Sequence, residues 1–157
     1  MRLTLAAALA GAMLPTIPVS AQTATPGIAD YSNAAVANGS WSHAITPGGS
    51  EAQFRSAAGQ PQIILACLRQ SRQVTIARPA SGAAPFLQVW TSSMARNLPA
   101  SFNPATGRLT ATIAFQDPVL DAMAMSRGRI AVGIAGQPAT VAPAWGEISR
   151  VVEDCRA

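Results

Sequence analysis

The chain has no lysine, a single histidine and only two cysteines in 157 residues. Each shortage closes a class of function. Zinc sites usually take three or four His, Cys or carboxylate ligands. One histidine, His43, and two cysteines suited to pairing with each other do not make such a set. Any mechanism in which an imidazole activates a serine or cysteine must pass through His43, and no Gly-x-Ser-x-Gly elbow accompanies it. His43 is therefore read as an ordinary strand residue, with no metal and no cofactor expected. Apolar runs are short as well. The longest, Leu3 to Leu14, extends about 18 Å as a helix against about 30 Å of bilayer hydrocarbon, so no stable membrane span is expected. All eleven basic residues are arginine, and with seven acids they give a formal net charge of only +4. The arginines are scattered from Arg55 to Arg156 without a dense stripe, which argues against a nucleic-acid partner. There is no internal repeat or low-complexity tract.

What is present begins with an address. Met1-Arg2 supplies a positive start, the Leu3–Leu14 run follows, and Pro15 to Ala21 ends in small residues. That order is the order of a secretory signal, here residues 1–21, with cleavage after Ala21 and residence in the periplasm or outside the cell. No cysteine lies near that point, so a lipid anchor is not expected. Residues 22–39 are rich in Ala, Thr, Asn and Gly and read as a flexible leader. Residues 40–157 form a single domain, and a chain of this size buries about two thirds of its unfolded surface. In an oxidising compartment Cys67 and Cys155 are expected to pair, free thiols or an intermolecular bridge being the alternatives. Closing so long a loop stabilises by up to about 4–5 kcal/mol.

Strand patterns dominate from Ser40 onward. Ser40–Ile45 alternates, with Trp41, His43 and Ile45 on one face, and Thr46–Ser50 turns the chain into a partner strand over Glu51–Ala57. Gln62–Leu68 is almost wholly apolar, as in a strand covered on both faces. Val74–Arg78, Phe86–Ser93 and Arg108–Phe115 follow as strands, with Pro99–Gly107 read as a loop. Asp117-Pro118 places an N-cap before a proline at the first helical position. A helix near 118–126 is predicted, with Gly128 as its stop. Strands return at Arg129–Ala135 and Ala139–Ala142. In the last segment Trp145, Ile148, Val152 and Cys155 share one helical face, so a helix near 144–156 would turn Cys155 toward the sheet that holds Cys67. The whole reads as an α+β domain: an antiparallel β-sheet or sandwich of about seven to eight strands, two helices and one disulfide.

Three groups are candidate sites. Asp117 and Asp121 are spaced to share a helix face and would divide acid and base roles if their pKa values were pushed apart; the helix dipole already explains carboxylates in a first turn, and capping is the expected role. Ser126-Arg127-Gly128-Arg129 brings two guanidiniums to a turn and is the best candidate for an anion or partner contact. Arg127 and Arg129 face the same way if the strand begins at Arg127. The alternative is that one of them pairs with Asp121 or Asp154. Phe86, Gln88, Trp90 and Ser92 share a strand face that is either a binding platform or packed beneath Trp145.

The run Asp117-Pro118-Val119-Leu120-Asp121-Ala122-Met123-Ala124-Met125-Ser126-Arg127-Gly128-Arg129, with the ending Trp145-Gly146-Glu147-Ile148-Ser149-Arg150-Val151-Val152-Glu153-Asp154-Cys155-Arg156, resembles a group of uncharacterised small exported proteins from Gram-negative bacteria. The shared pattern is a strand cysteine, a helix running into Ser-Arg-Gly-Arg, and a terminal helix closing on a cysteine. The resemblance covers roughly residues 60–157. The layout is more distantly similar to the invasion-associated locus B family and to periplasmic accessory proteins of type VI secretion. These resemblances imply an envelope-associated β-rich module and carry no catalytic residues across. Three functions are compatible with the chain: a non-enzymatic module binding a protein or cell-envelope partner, a small exported inhibitor presenting an arginine loop, and a hydrolase using Asp117/Asp121 or His43.

Overall fold

A computed structural model describes residues 27–157. The expected signal segment 1–21 and leader residues 22–26 lie outside the described residues. Nine strands are present: β1 (Gly39–Thr46), β2 (Gly49–Ser56), β3 (Pro61–Leu68), β4 (Gln73–Pro79), β5 (Phe86–Trp90), β6 (Ala95–Asn103), β7 (Arg108–Ala114), β8 (Arg129–Ile134) and β9 (Gln137–Pro143). Two α-helices, α1 (Pro118–Ala124) and α2 (Gly146–Arg156), and a single 3-10 turn at Arg69–Ser71 complete the elements among the described residues. The strands form one sheet in the order β1-β2-β3-β4-β7-β6-β5-β8-β9, antiparallel throughout.

The sheet curls until it is nearly a barrel. Its two edges meet through Ala37 N–H donating to Val141 O at 2.7 Å and Trp41 Nε1 donating to Pro143 O at 2.7 Å. Alternation selects what points inward. Phe54, Ile63, Leu65, Val74, Ile76, Leu87, Val89, Leu98, Leu109, Ile130 and Val132 are all fully buried in one cluster. The helices plug one end: α1 adds Val119, Leu120 and Met123, and α2 adds Ile148, Val151, Val152 and Cys155. α2 packs on β1 to β4 and against α1.

Two expectations are corrected. The strand count is nine rather than seven to eight, because 95–103, half of it expected as loop, is β6. Pro99 suggests a break, yet it stands where β6 passes from pairing with β5 to pairing with β7, whose ladder starts at Ala100. A proline at a handover removes no ladder bond. Second, α1 ends at Ala124, where Met125 N–H bonds back to Asp121 O at 2.9 Å. Gly128 is not its stop; its φ of +80° serves the turn into β8.

Gly49 marks a close approach within the sheet. A Cβ there would stand 2.5 Å from the Cys67 carbonyl oxygen, so only glycine lets β2 begin beside the disulfide. The described part of the leader is tied down as well: the Arg129 guanidinium donates to Ala34 O, and the Tyr31 ring stands edge-on to Trp90 with centroids 6.1 Å apart.

Candidate functional site

Cys67, near the end of β3, is bonded to Cys155 in the last turn of α2, with Cα atoms 5.4 Å apart. The β2–β3 register sets Ser50 opposite Cys67, and the β1–β2 register sets His43 one step away on the same face. Asp154, next to Cys155, meets His43 Nε2 at 3.2 Å through Oδ2. Serine, histidine and aspartate thus lie together, and the order decides what they can do. A nucleophilic serine needs the imidazole at its hydroxyl. Here the imidazole bonds the carboxylate, and fully buried Ser50 makes no hydrogen bond to the imidazole. The Ser50 hydroxyl, then His43 and more distantly Arg69, outweigh burial and hold Asp154 below the usual carboxylate pKa. The cluster anchors α2 to β1 and β2.

Asp117 and Asp121 are engaged separately. Asp117 caps α1, its Oδ1 accepting from Val119 N at 3.0 Å and from Arg96 NH1 at 2.5 Å. Asp121 Oδ1 accepts from Arg156 NH1 at 2.7 Å, which holds the carboxyl below its ordinary pKa and raises that of Arg156. Capping was expected of both; Asp121 instead ties α1 to the end of α2, where Arg156 Nε also donates to Phe115 O at 3.2 Å. With Asp121 and Asp154 taken by Arg156 and His43, neither is the partner of Arg127 or Arg129.

The two candidate arginines part company. β8 begins at Arg129, whose half-buried side chain holds Ala34. Arg127 is exposed on the turn before it. That turn is rigidly stapled: buried Ser126 Oγ donates to Arg129 O at 2.6 Å and accepts from Ser92 N at 2.9 Å, while Ser92 Oγ accepts from Arg127 N at 2.8 Å. Ala144 N–H donates to Gly128 O at 3.3 Å, bringing Trp145 to the same turn. Trp145 was expected to face inward with Cys155. It precedes the first turn of α2 in extended conformation, so helical periodicity does not govern it, and it is 48% exposed. Met125, 80% exposed, lies just before the turn. Trp90 packs against Tyr31.

Among the described residues no group of three or more His, Cys, Asp or Glu side chains could hold a metal ion, and no helix is long and apolar enough to cross a membrane. A cleft of about 340 Å³ beside the disulfide is lined by Gly48, Leu68, Gln70 and Ser71 and holds no titratable side chain. One buried cation escaped the sequence reading. Arg78 follows Val74 and Ile76 on the inward face of β4 and is 7% exposed. An arginine in phase with the apolar positions of a clean alternation was the available signal. The chain matches no protein-family model, no curated protein and no solved structure.

Proposed function

We propose that the chain is an exported, non-enzymatic binding module that engages a protein of the cell envelope through the Met125–Gly128 turn and Trp145. One observation carries this reading: Arg127 projects from a turn immobilised by Ser92 and Ser126, with exposed Met125 and Trp145 beside it. Arginine, tryptophan and methionine are the side chains that protein interfaces favour. A turn that is already rigid loses little entropy when a partner docks. The disulfide fits an oxidising compartment, and the likeness to small exported envelope proteins points the same way.

A photo-crosslinking residue at position 125, in the full chain expressed in a Gram-negative host, is expected to yield a discrete adduct. The same residue at exposed position 81 is expected to yield none. Arg127→Ala and Trp145→Ala should each weaken capture about 10- to 30-fold, the size of an interface hot spot. No adduct at position 125 above that at position 81 would overturn the reading. The stapled arginine turn also supports a second reading, a small exported inhibitor that inserts Arg127 into an enzyme cleft; inhibition untouched by Arg127→Ala would remove it.

A further inference from the structure

The helices close one end of the barrel; the opposite rim is built from the end of β4, the β8–β9 hairpin and the chain before β1. Arg78 sits there, pointing inward. Its NH1 donates to Val132 O at 2.6 Å and its NH2 to Pro138 O at 3.0 Å. Both carbonyls flank the register shift in the β8–β9 ladder, which explains why they accept from a side chain rather than from a strand. Those two bonds use part of a five-donor fork. Nε has no hydrogen-bond partner, and no carboxylate pairs with the guanidinium among the described residues. Burial lowers the pKa of Arg78 and the nearby Tyr31 phenol offsets this in part, but arginine stays charged in proteins. A buried charge without a counter-charge is strongly unfavourable.

The same side chain lines an open cleft of about 450 Å³, with Phe54, Ser56, Gln62, Pro138 and Thr140 among its walls and no acidic residue. A concave, largely apolar site with a few polar groups and one cation has the anatomy of a small-molecule site. We propose that this cleft binds a small organic carboxylate, with its anionic group on the Arg78 guanidinium and its apolar body against Pro138 and Ala139. A planar carboxylate matches the guanidinium fork. One cation with neutral Ser56, Gln62 and Thr140 around it suits a monoanion better than a phosphate dianion. The cleft lies at the Ile134–Gln137 end of the β8–β9 hairpin, and the Arg127 turn lies beyond its Arg129–Pro143 end. The site is therefore independent of the protein-binding turn.

The test is an amide-resonance titration of the full chain with benzoate and octanoate, using benzamide and inorganic phosphate as comparison probes. Both carboxylates are expected to give saturable shifts at Phe54, Gln62 and Thr140. Benzamide should bind about 10- to 100-fold more weakly, the loss of a charge-assisted hydrogen bond. Arg78→Gln should abolish the shifts. Should that variant fail to fold, Ser56→Trp, which fills the mouth and leaves Arg78 in place, decides the matter by abolishing them too. The proposal falls if neither carboxylate saturates, if benzamide matches benzoate, if phosphate binds more tightly than both, or if Ser56→Trp binds as the parent does.

Discussion

The Trp41 indole donates to the Pro143 carbonyl at 2.7 Å and so joins β1 to the end of β9, the two edge strands of the sheet. Unpaired edges are sites for unwanted strand addition. Here the seam is closed by this side-chain bond and the Ala37–Val141 backbone bond, without a continuous ladder. Trp41→Phe keeps most of the buried ring and leaves Pro143 O without its donor. A loss of about 1–3 kcal/mol is expected, read from the midpoint of urea unfolding. An unchanged midpoint would mean that the indole bond contributes nothing to closure.

The disulfide joins residues 88 positions apart and pins the end of α2 to β3. Replacing both cysteines by alanine is expected to cost about 2–5 kcal/mol. Thermal unfolding of the double variant and of the reduced parent should shift downward together. A parent melt insensitive to reductant under unfolding conditions would contradict this.

Asp117 has two tasks that can be separated. Asp117→Ala loses both the cap and the Arg96 pair and should destabilise by about 0.5–2 kcal/mol. Asp117→Asn retains a capping oxygen and should recover most of that, because Arg96 is 41% exposed and such an ion pair contributes under about 1 kcal/mol. Equal losses in the two variants would assign the stability to the ion pair instead.

Acid should loosen both helix anchors. Asp154, lowered by Ser50 and His43, and Asp121, lowered by Arg156, each have folded pKa values below their ordinary 3.8. A carboxylate with a depressed folded pKa contributes stability that is present in full above the unfolded value and lost as pH falls through the folded one. Stability is therefore expected to drop from just below pH 4 downward. In Asp121→Asn/Asp154→Asn that drop should be shallower. An acid limb identical to the parent's would show that neither carboxylate is involved.

Much of the fold was legible because its signals are local. Val74–Arg78 and Arg108–Phe115 alternate cleanly, and β4 and β7 lie there. Asp117-Pro118 reads as cap and first turn, and Asp117 does cap α1. β6 was obscured by Pro99, whose acceptability depends on where two ladders meet. The candidate site was half legible: Ser126–Arg129 stood out as a turn, but Arg129 is spent on Ala34 and Trp145 faces out. Neither outcome follows from spacing within the segment.

Periodicity, caps and the presence of two cysteines determine from local chemistry which segments are strands, where the helices start and which residues form the bridge. Only the tertiary structure decided how the strands are ordered, that β1 meets β9 through residues 102 apart, and that Arg78 reaches carbonyls 54 and 60 positions away inside the barrel. The reason is physical. Secondary structure is set by neighbours a few residues off, whereas closure, burial of a charge and the shape of a cleft depend on which distant backbone groups are left unpaired, and no local pattern encodes that.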